Sequence, residues 1–242
     1  MTTFQGAWAL VRGEFYGDRL KLLRSLLFAI IFMGYMAVLT AVIGEDTISG
    51  EGGGMLVDFM LLMMLPMLGM TFSKRTMKYI HEDSYTRMLG YMRCLPVSNE
   101  MILCRRKLHA AYSFFQNGIL YFGLIYAVSG SVRSEVQLLE FAVFALTAIG
   151  LGLIISGMYI FIELTVSGKV YFFLLLLNFV LALGISLLIH LSDGNLFLYL
   201  IEFSKDWGLR SPLMWGSLVA GTASVQLFSQ LTLRRLKSRN LV

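Results

Sequence analysis

Six apolar runs of membrane-spanning length leave this chain few ways to fold. They occur at about Leu22 to Ile43, Met55 to Ser73, Ala110 to Ser129, Leu138 to Phe161, Val170 to Ile189 and Pro212 to Leu233. A helix rises about 1.5 Å per residue, so each run can cross a hydrocarbon core of about 30 Å. Of the 242 residues, 57% are hydrophobic and 14% are charged, where soluble domains carry about 25% charge. A soluble core cannot absorb that much apolar surface. The expected fold is an all-α integral membrane protein, a single transmembrane domain with six transmembrane helices over residues 1–242.

The basic residues test that division. Arg12, Arg19, Lys21 and Arg24 precede the first run, and Lys74, Arg75, Lys78, Arg87, Arg93, Arg105, Arg106 and Lys107 lie between the second and third. Lys169 sits between the fourth and fifth, and Arg234, Arg235, Lys237 and Arg239 follow the sixth. With six crossings these seventeen share one side, against Arg133, Lys205 and Arg210 on the other. A missed or invented helix would scatter them. By the positive-inside rule the larger set is cytosolic, so both termini are expected in the cytosol and the chain in the cell membrane. The segments left outside are short: the stretch Gly44 to Gly54, the turn at Ser131 to Glu135, and Leu191 to Arg210. None is an extracellular domain.

The formal charge of +5 is spread between apolar runs and builds no basic domain, which predicts anionic lipid as its partner and no nucleic acid. Cys94 and Cys104 both fall on the cytosolic side, so no structural disulfide is expected. The first 20 residues mix charge with aromatics and show no removable signal peptide. Within residues 1–21, Phe4, Trp8, Val11 and Phe15 recur at i, i+4, i+7 and i+11. That stripe reads as a helix lying in the inner membrane interface; the alternative is a cytosolic extension of the first span.

No GxxxxGK[ST] phosphate loop, HExxH, CxxC or paired intramembrane carboxylate occurs. The chain therefore has no sequence support for binding a nucleotide or for metal or acid/base catalysis. His81, Glu82 and Asp83 are adjacent, so they cannot all lie on one helical face as ligands. An intramembrane enzyme is the least supported reading.

The longest polar stretch, residues 74–109, lies between the second and third runs. Met88, Leu89, Met92 and Leu95 are spaced for one apolar helical face, Pro96 stops that helix, and Ser98 or Asn99 can cap a new one running through Arg105 into the third span. A short amphipathic helix projecting into the cytosol suits docking of a soluble partner. An acidic pair, a basic residue and an apolar helix, then Leu95-Pro96-Val97-Ser98, Glu100, an apolar pair and a basic run, resemble the corresponding loop of type-2 ABC exporter permeases. The resemblance covers topology along the chain and sequence pattern over about Glu82 to Lys107. It implies a non-catalytic permease subunit that binds no cofactor itself, with ATP and Mg held by a separate cytosolic ABC ATPase. It further implies a second permease copy or a related chain. Tyr85 to Pro96 would be the coupling helix, with Met88, Leu89 and Met92 as buried contacts, Glu82, Asp83, Arg87 and Arg93 as rim charges, and Pro96 as its stop.

Within the membrane, Met60, Met63, Met67 and Met70 lie at i, i+3, i+7 and i+10 of the second run. A polarizable face of this kind can repack around apolar cargo or a partner subunit; the plainer reading is bundle packing. Pro66 frees the carbonyl of Leu62 and is expected to kink that helix. Ala148, Gly152 and Ser156 form a small-residue ridge in the fourth run, which admits close approach of another helix. Asp58, Glu140, Glu163 and His190 are ionisable groups beside or within spans, read as near enough to an interface to be solvated. The implied cargo is hydrophobic or amphipathic, with a peptide toxin or antimicrobial peptide preferred over lipid or drug. The rival is a stand-alone secondary transporter or channel.

Overall fold

A computed structural model of the chain describes residues 2–17, 19–50, 52–70, 90–91 and 97–238. Those residues are overwhelmingly helical, with no strand among them. The principal helices are α1 (Thr3–Gly17), α2 (Arg19–Ile48), α3 (Gly54–Met67), α4 (Asn99–Val128), the short α5 (Gly130–Glu135), α6 (Leu138–Thr165), α7 (Gly168–Leu191), α8 (Leu196–Trp207) and α9 (Pro212–Ser238), with a 3-10 turn at Gly208–Arg210 between the last two. Three segments, Leu23–Ile48, Leu138–Thr165 and Gly168–Leu191, are long and apolar enough to cross a membrane. At 30 and 27 residues, α4 and α9 match them in length but carry more polar side chains.

The second apolar run departs from expectation. Its sequence suggests one helix from Met55 to Ser73; α3 stops at Met67 and is followed by a turn at Leu68 and Gly69. Fourteen residues reach about 21 Å, short of a full crossing. The physical cause is Pro66, whose missing N–H and ring weaken the last turn, here used to end the helix where a kink was expected.

Contacts between helices fix their relative directions. On α4 and α6, Arg106 meets Glu163, Gly118 approaches Ile149, Phe122 packs edge-on against Phe144 at 5.8 Å, and Tyr126 meets Phe141 at 5.1 Å. These two helices are antiparallel. Met55 on α3 pairs with Ser186 on α7 and Phe59 with Phe179, again antiparallel, whereas Leu65 of α3 and Gly69 in the turn after it face Gly152 and Ser156 of α6 in parallel order. Gly150 and Gly157 of α6 meet Ser217 and Ser224 of α9, also in parallel. Thus α3, α6 and α9 run one way and α4 and α7 the other.

Small residues make the α6–α9 contact. A methyl on Gly150 would lie 2.7 Å from the Ser217 carbonyl carbon and 2.8 Å from the Leu218 nitrogen, and one on Gly221 would lie 2.7 Å from the Gly150 carbonyl oxygen. With backbones this close, the Ser224 hydroxyl donates to the Ile154 carbonyl at 2.7 Å. The ridge read from the sequence at Ala148, Gly152 and Ser156 lies on another side of α6, where Gly152 approaches the Leu65 carbonyl. So α6 carries two close-packing faces, and the one against α9 was not read from the sequence.

α1 packs along the start of α4. Ala7 and Val11 are buried, and Gly6 leaves room for the Met101 side chain. Phe4 and Trp8 stay exposed. The expected stripe is therefore split: Val11 faces protein, and Phe4 and Trp8 remain as the pair open to an interface.

Candidate functional site

Three levels of the bundle hold the polar side chains that the sequence singled out. At one end, α4 begins with Ser98, whose Oγ accepts from the Met101 N–H at 3.2 Å, and Glu100 lies in the first turn. Both features suit a helix N-terminus, the hydroxyl by satisfying an orphan amide and the carboxylate by facing the positive dipole end. About two turns on, Arg106 grips Glu163 through Nε at 2.8 Å and a terminal nitrogen at 2.7 Å. Glu163 is 7% exposed, so the solvated carboxylate expected from the sequence is in fact a buried, paired one. Burial without a partner would be costly, and the guanidinium supplies both charge and directed donors. The assigned docking residues Glu82, Asp83, Arg87, Met88, Leu89, Met92, Arg93 and Pro96 lie outside the described residues.

At mid-bundle, the end of α3 is closed by a side chain from α4. Asn117 Nδ2 donates to the carbonyls of Leu68 at 3.0 Å and Met70 at 3.1 Å. Carbonyls in a turn that follows a helix need such partners when water is excluded, and Asn117 is 2% exposed. Close approach is possible because Gly69 has no side chain: a methyl there would lie 2.6 Å from Phe114 Cε2. Nearby, the Tyr159 hydroxyl is buried with no hydrogen-bond partner among the described residues, its ring edge-on to Tyr171 at 5.9 Å.

The methionine series belongs to the same level. Met63 and Met70 are buried, and Met60 and Met67 are partly buried against the core. Met63 packs with Leu61, Met64 and Leu65 in the main apolar cluster, and Met70 with Tyr159, Ile162 and Tyr171. Met63 and Met70 thus fill protein interior, with Met60 and Met67 at its edge.

At the other end, Asp58 is fully buried, which corrects its expected contact with water. Its Oδ2 accepts from the Leu196 N–H and its Oδ1 from the Phe197 N–H, both at 2.8 Å. The Asn195 side chain accepts from Leu198 N–H at 2.9 Å and the Asn195 carbonyl accepts from Tyr199 N–H at 3.0 Å. All four leading amides of α8 are thereby satisfied, and a carboxylate sits at the positive end of the helix dipole. Two further ties join this end: the Ser131 N–H and hydroxyl donate to Glu45 Oε1, both at 3.1 Å, and Lys205 pairs with Glu135 at 3.1 Å. Glu140 closes the start of its own helix by accepting from the Gln137 N–H at 3.0 Å. His190 is exposed near the end of α7.

Sequence reasoning passed over Asn117, Arg106 as a specific partner, and Glu45. A lone amide in the middle of the apolar run from Ala110 to Ser129 is the signal that points to Asn117. Nothing in the sequence links Arg106 to Glu163 or Glu45 to Ser131 across such distances in the chain. Among the described residues no group of three or more His, Cys, Asp or Glu side chains could hold a metal ion. Searches of protein-family models, of curated proteins and of solved structures returned no match to this chain.

Proposed function

We propose that this chain is the membrane-spanning permease subunit of an ATP-driven exporter of the type-2 ABC class, crossing the cell membrane six times with both termini in the cytosol. The crossings would be α2, the run that begins with α3, α4, α6, α7 and α9. Supporting this, the alternating directions of α3, α4, α6, α7 and α9 gather Arg105, Arg106, Lys107, Lys169, Arg234, Arg235 and Lys237 at one end, the arrangement expected of a cytosolic face. The observation that carries the reading is the start of α4. Its Ser98 cap lies at that basic end, the end at which an ATPase would bind on this reading.

On this reading ATP and Mg belong to a partner subunit, and a second permease copy or a related chain completes the pathway. Hydrolysis reaches the membrane only by mechanical contact, because this sequence contains no phosphate loop. The apolar bundle suits a hydrophobic or amphipathic cargo, with a peptide toxin or antimicrobial peptide ahead of lipid or drug. Leu89→Asp tests the contact: an unpaired carboxylate in a protein groove costs several kcal/mol. The variant should insert and fold normally while losing copurification with the ATPase and cargo-stimulated hydrolysis. Retention of both would sink the proposal.

One observation favours a second reading. A helix interrupted at mid-bundle is a feature of secondary transporters, where freed backbone groups line a binding site. Against it, Asn117 already occupies the freed carbonyls of Leu68 and Met70, and Asp58 is engaged by the amides of α8. Transport that survived ATP depletion but stopped when the proton and sodium gradients were collapsed would put this reading first.

A further inference from the structure

α8 has three faces, and only two are explained by packing and by water. Phe197, Leu200, Ile201 and Ser204 form the buried face, with the Phe197 ring edge-on to Phe144 at 5.5 Å. Glu202, Lys205 and Asp206 form a polar flank. The other flank is an aromatic row at i, i+4 and i+8: Tyr199, Phe203 and Trp207, with successive ring centroids 5.9 and 6.0 Å apart. Tyr199 is 55% exposed and Trp207 is 52% exposed. That buried face already seats the helix on the bundle, which leaves the exposed row open to a different partner.

The level of the row identifies that partner. Trp207 is followed by the turn at Gly208, whose φ of 48° favours glycine, and the Leu209 carbonyl accepts from the Trp215 indole N–H at 3.0 Å. Trp207, Leu209 and Trp215 therefore share one height. Along α9, Trp215 and Arg234 are separated by about 29 Å at 1.5 Å per residue, which matches a hydrocarbon core of about 30 Å. With Arg234 at one membrane surface, Trp215 lies at the other. Tyr and Trp rings collect at that depth because each has an apolar body and a polar tip.

We propose that α8 lies along the outer membrane surface with Tyr199, Phe203, Trp207 and Trp215 set among phospholipid headgroups and upper acyl chains. Its polar flank faces water, and its N-terminus is held by Asp58. The inference rests on the six-crossing topology proposed above and is independent of the ATPase and cargo.

The chain has three tryptophans, so fluorescence in reconstituted vesicles can be assigned to single residues. Trp8→Phe with Trp215→Phe leaves Trp207, and Trp8→Phe with Trp207→Phe leaves Trp215. Each should lose most of its emission in phosphatidylcholine brominated near the headgroup end of the acyl chain, less when the bromine is near the methyl end, and little to external iodide. Full quenching of Trp207 by iodide would place the row in water. Shielding from both iodide and brominated lipid would mean that protein, such as a second copy, covers it. Stronger quenching by deep bromine would mean a re-entrant helix. Each of those three outcomes overturns the proposal. Glu202→Cys, labelled by an impermeant maleimide from outside, tests the topology separately, so a failed topology is distinguished from a failed lipid contact.

Discussion

Arg106 and Glu163 hold the start of α4 to the end of α6, with Nε and a terminal nitrogen both directed at one carboxylate oxygen, at 2.8 and 2.7 Å. The side chains are 16% and 6% exposed, so this is an ion pair removed from bulk water. α4 is also the helix that directly follows the polar segment assigned to ATPase contact. A displacement of that segment would therefore reach α6 through this pair as well as through apolar packing. Glu163→Gln leaves a guanidinium facing a neutral amide and should destabilise the protein by about 3 kcal/mol. The reversed pair, Arg106→Glu with Glu163→Arg, should recover part of that loss. Thermal unfolding of the parent, Arg106→Glu, Glu163→Arg and the double variant as a double-mutant cycle measures the coupling; additive losses would show that the pair contributes little.

Asn117→Leu keeps side-chain volume close to the original but leaves the Leu68 and Met70 carbonyls without their donor. An unsatisfied buried polar group costs about 1–3 kcal/mol, so the variant should lose stability by an amount in that range or above. Faster hydrogen exchange or proteolysis around residues 64–70, ahead of global unfolding, would locate the damage at the end of α3. An unchanged protection pattern there would refute the capping role.

Asp58→Ala removes the acceptor for the first two amides of α8. The expected result is faster exchange of the Leu196 and Phe197 amides, with the α4–α6 contact unaffected. Each lost bond costs about 1–3 kcal/mol, applied locally. Asp58→Asn should be intermediate, since one oxygen remains to accept while the new NH₂ faces a donor. Equal protection in all three proteins would mean that α8 is held by its apolar face alone.

Gly157→Leu tests the tight parallel packing of α6 on α9. Even a methyl at that position would lie 3.0 Å from the Ser224 carbonyl carbon and 3.0 Å from the Val225 nitrogen, and backbone cannot swing aside as a long side chain can. Overpacking costs about 1–3 kcal/mol. Distances between spin labels on the two helices should increase, and stability should fall. A substitution at Gly184, where a side chain would meet nothing within 4 Å, serves as the control.

Much of this architecture was legible because the bilayer reduces it to length and polarity. The extents of α6 and α7 and the Ser98 cap can be read from local residue patterns. The interrupted α3 could not be read so directly: Met55 to Ser73 is apolar throughout, and a sequence window does not distinguish a kink from an end. Pro66 weakens the last turn, and Asn117, forty-seven positions from Met70, satisfies the carbonyls of the turn that follows. Asp58 was misread for a related reason. Its position near the end of a span suggests water, while its real environment is set by the amides of Leu196 and Phe197, about 138 residues away. The assigned docking residues between Glu82 and Pro96 rest on sequence pattern alone.

The parallel register of α6 and α9 has a consequence for biosynthesis. Ile154 and Ser224, joined by a hydrogen bond, are separated by 70 positions, with all of α7 and α8 between them. While the ribosome is still making that intervening stretch, the glycine face of α6 at Gly150 and Gly157 has no protein to meet and must be covered by lipid or by the insertion machinery. The bundle can close only after the last helix emerges. Loss of α9 would then act on the centre of the protein, leaving α6 with a groove shaped for a helix that never arrives.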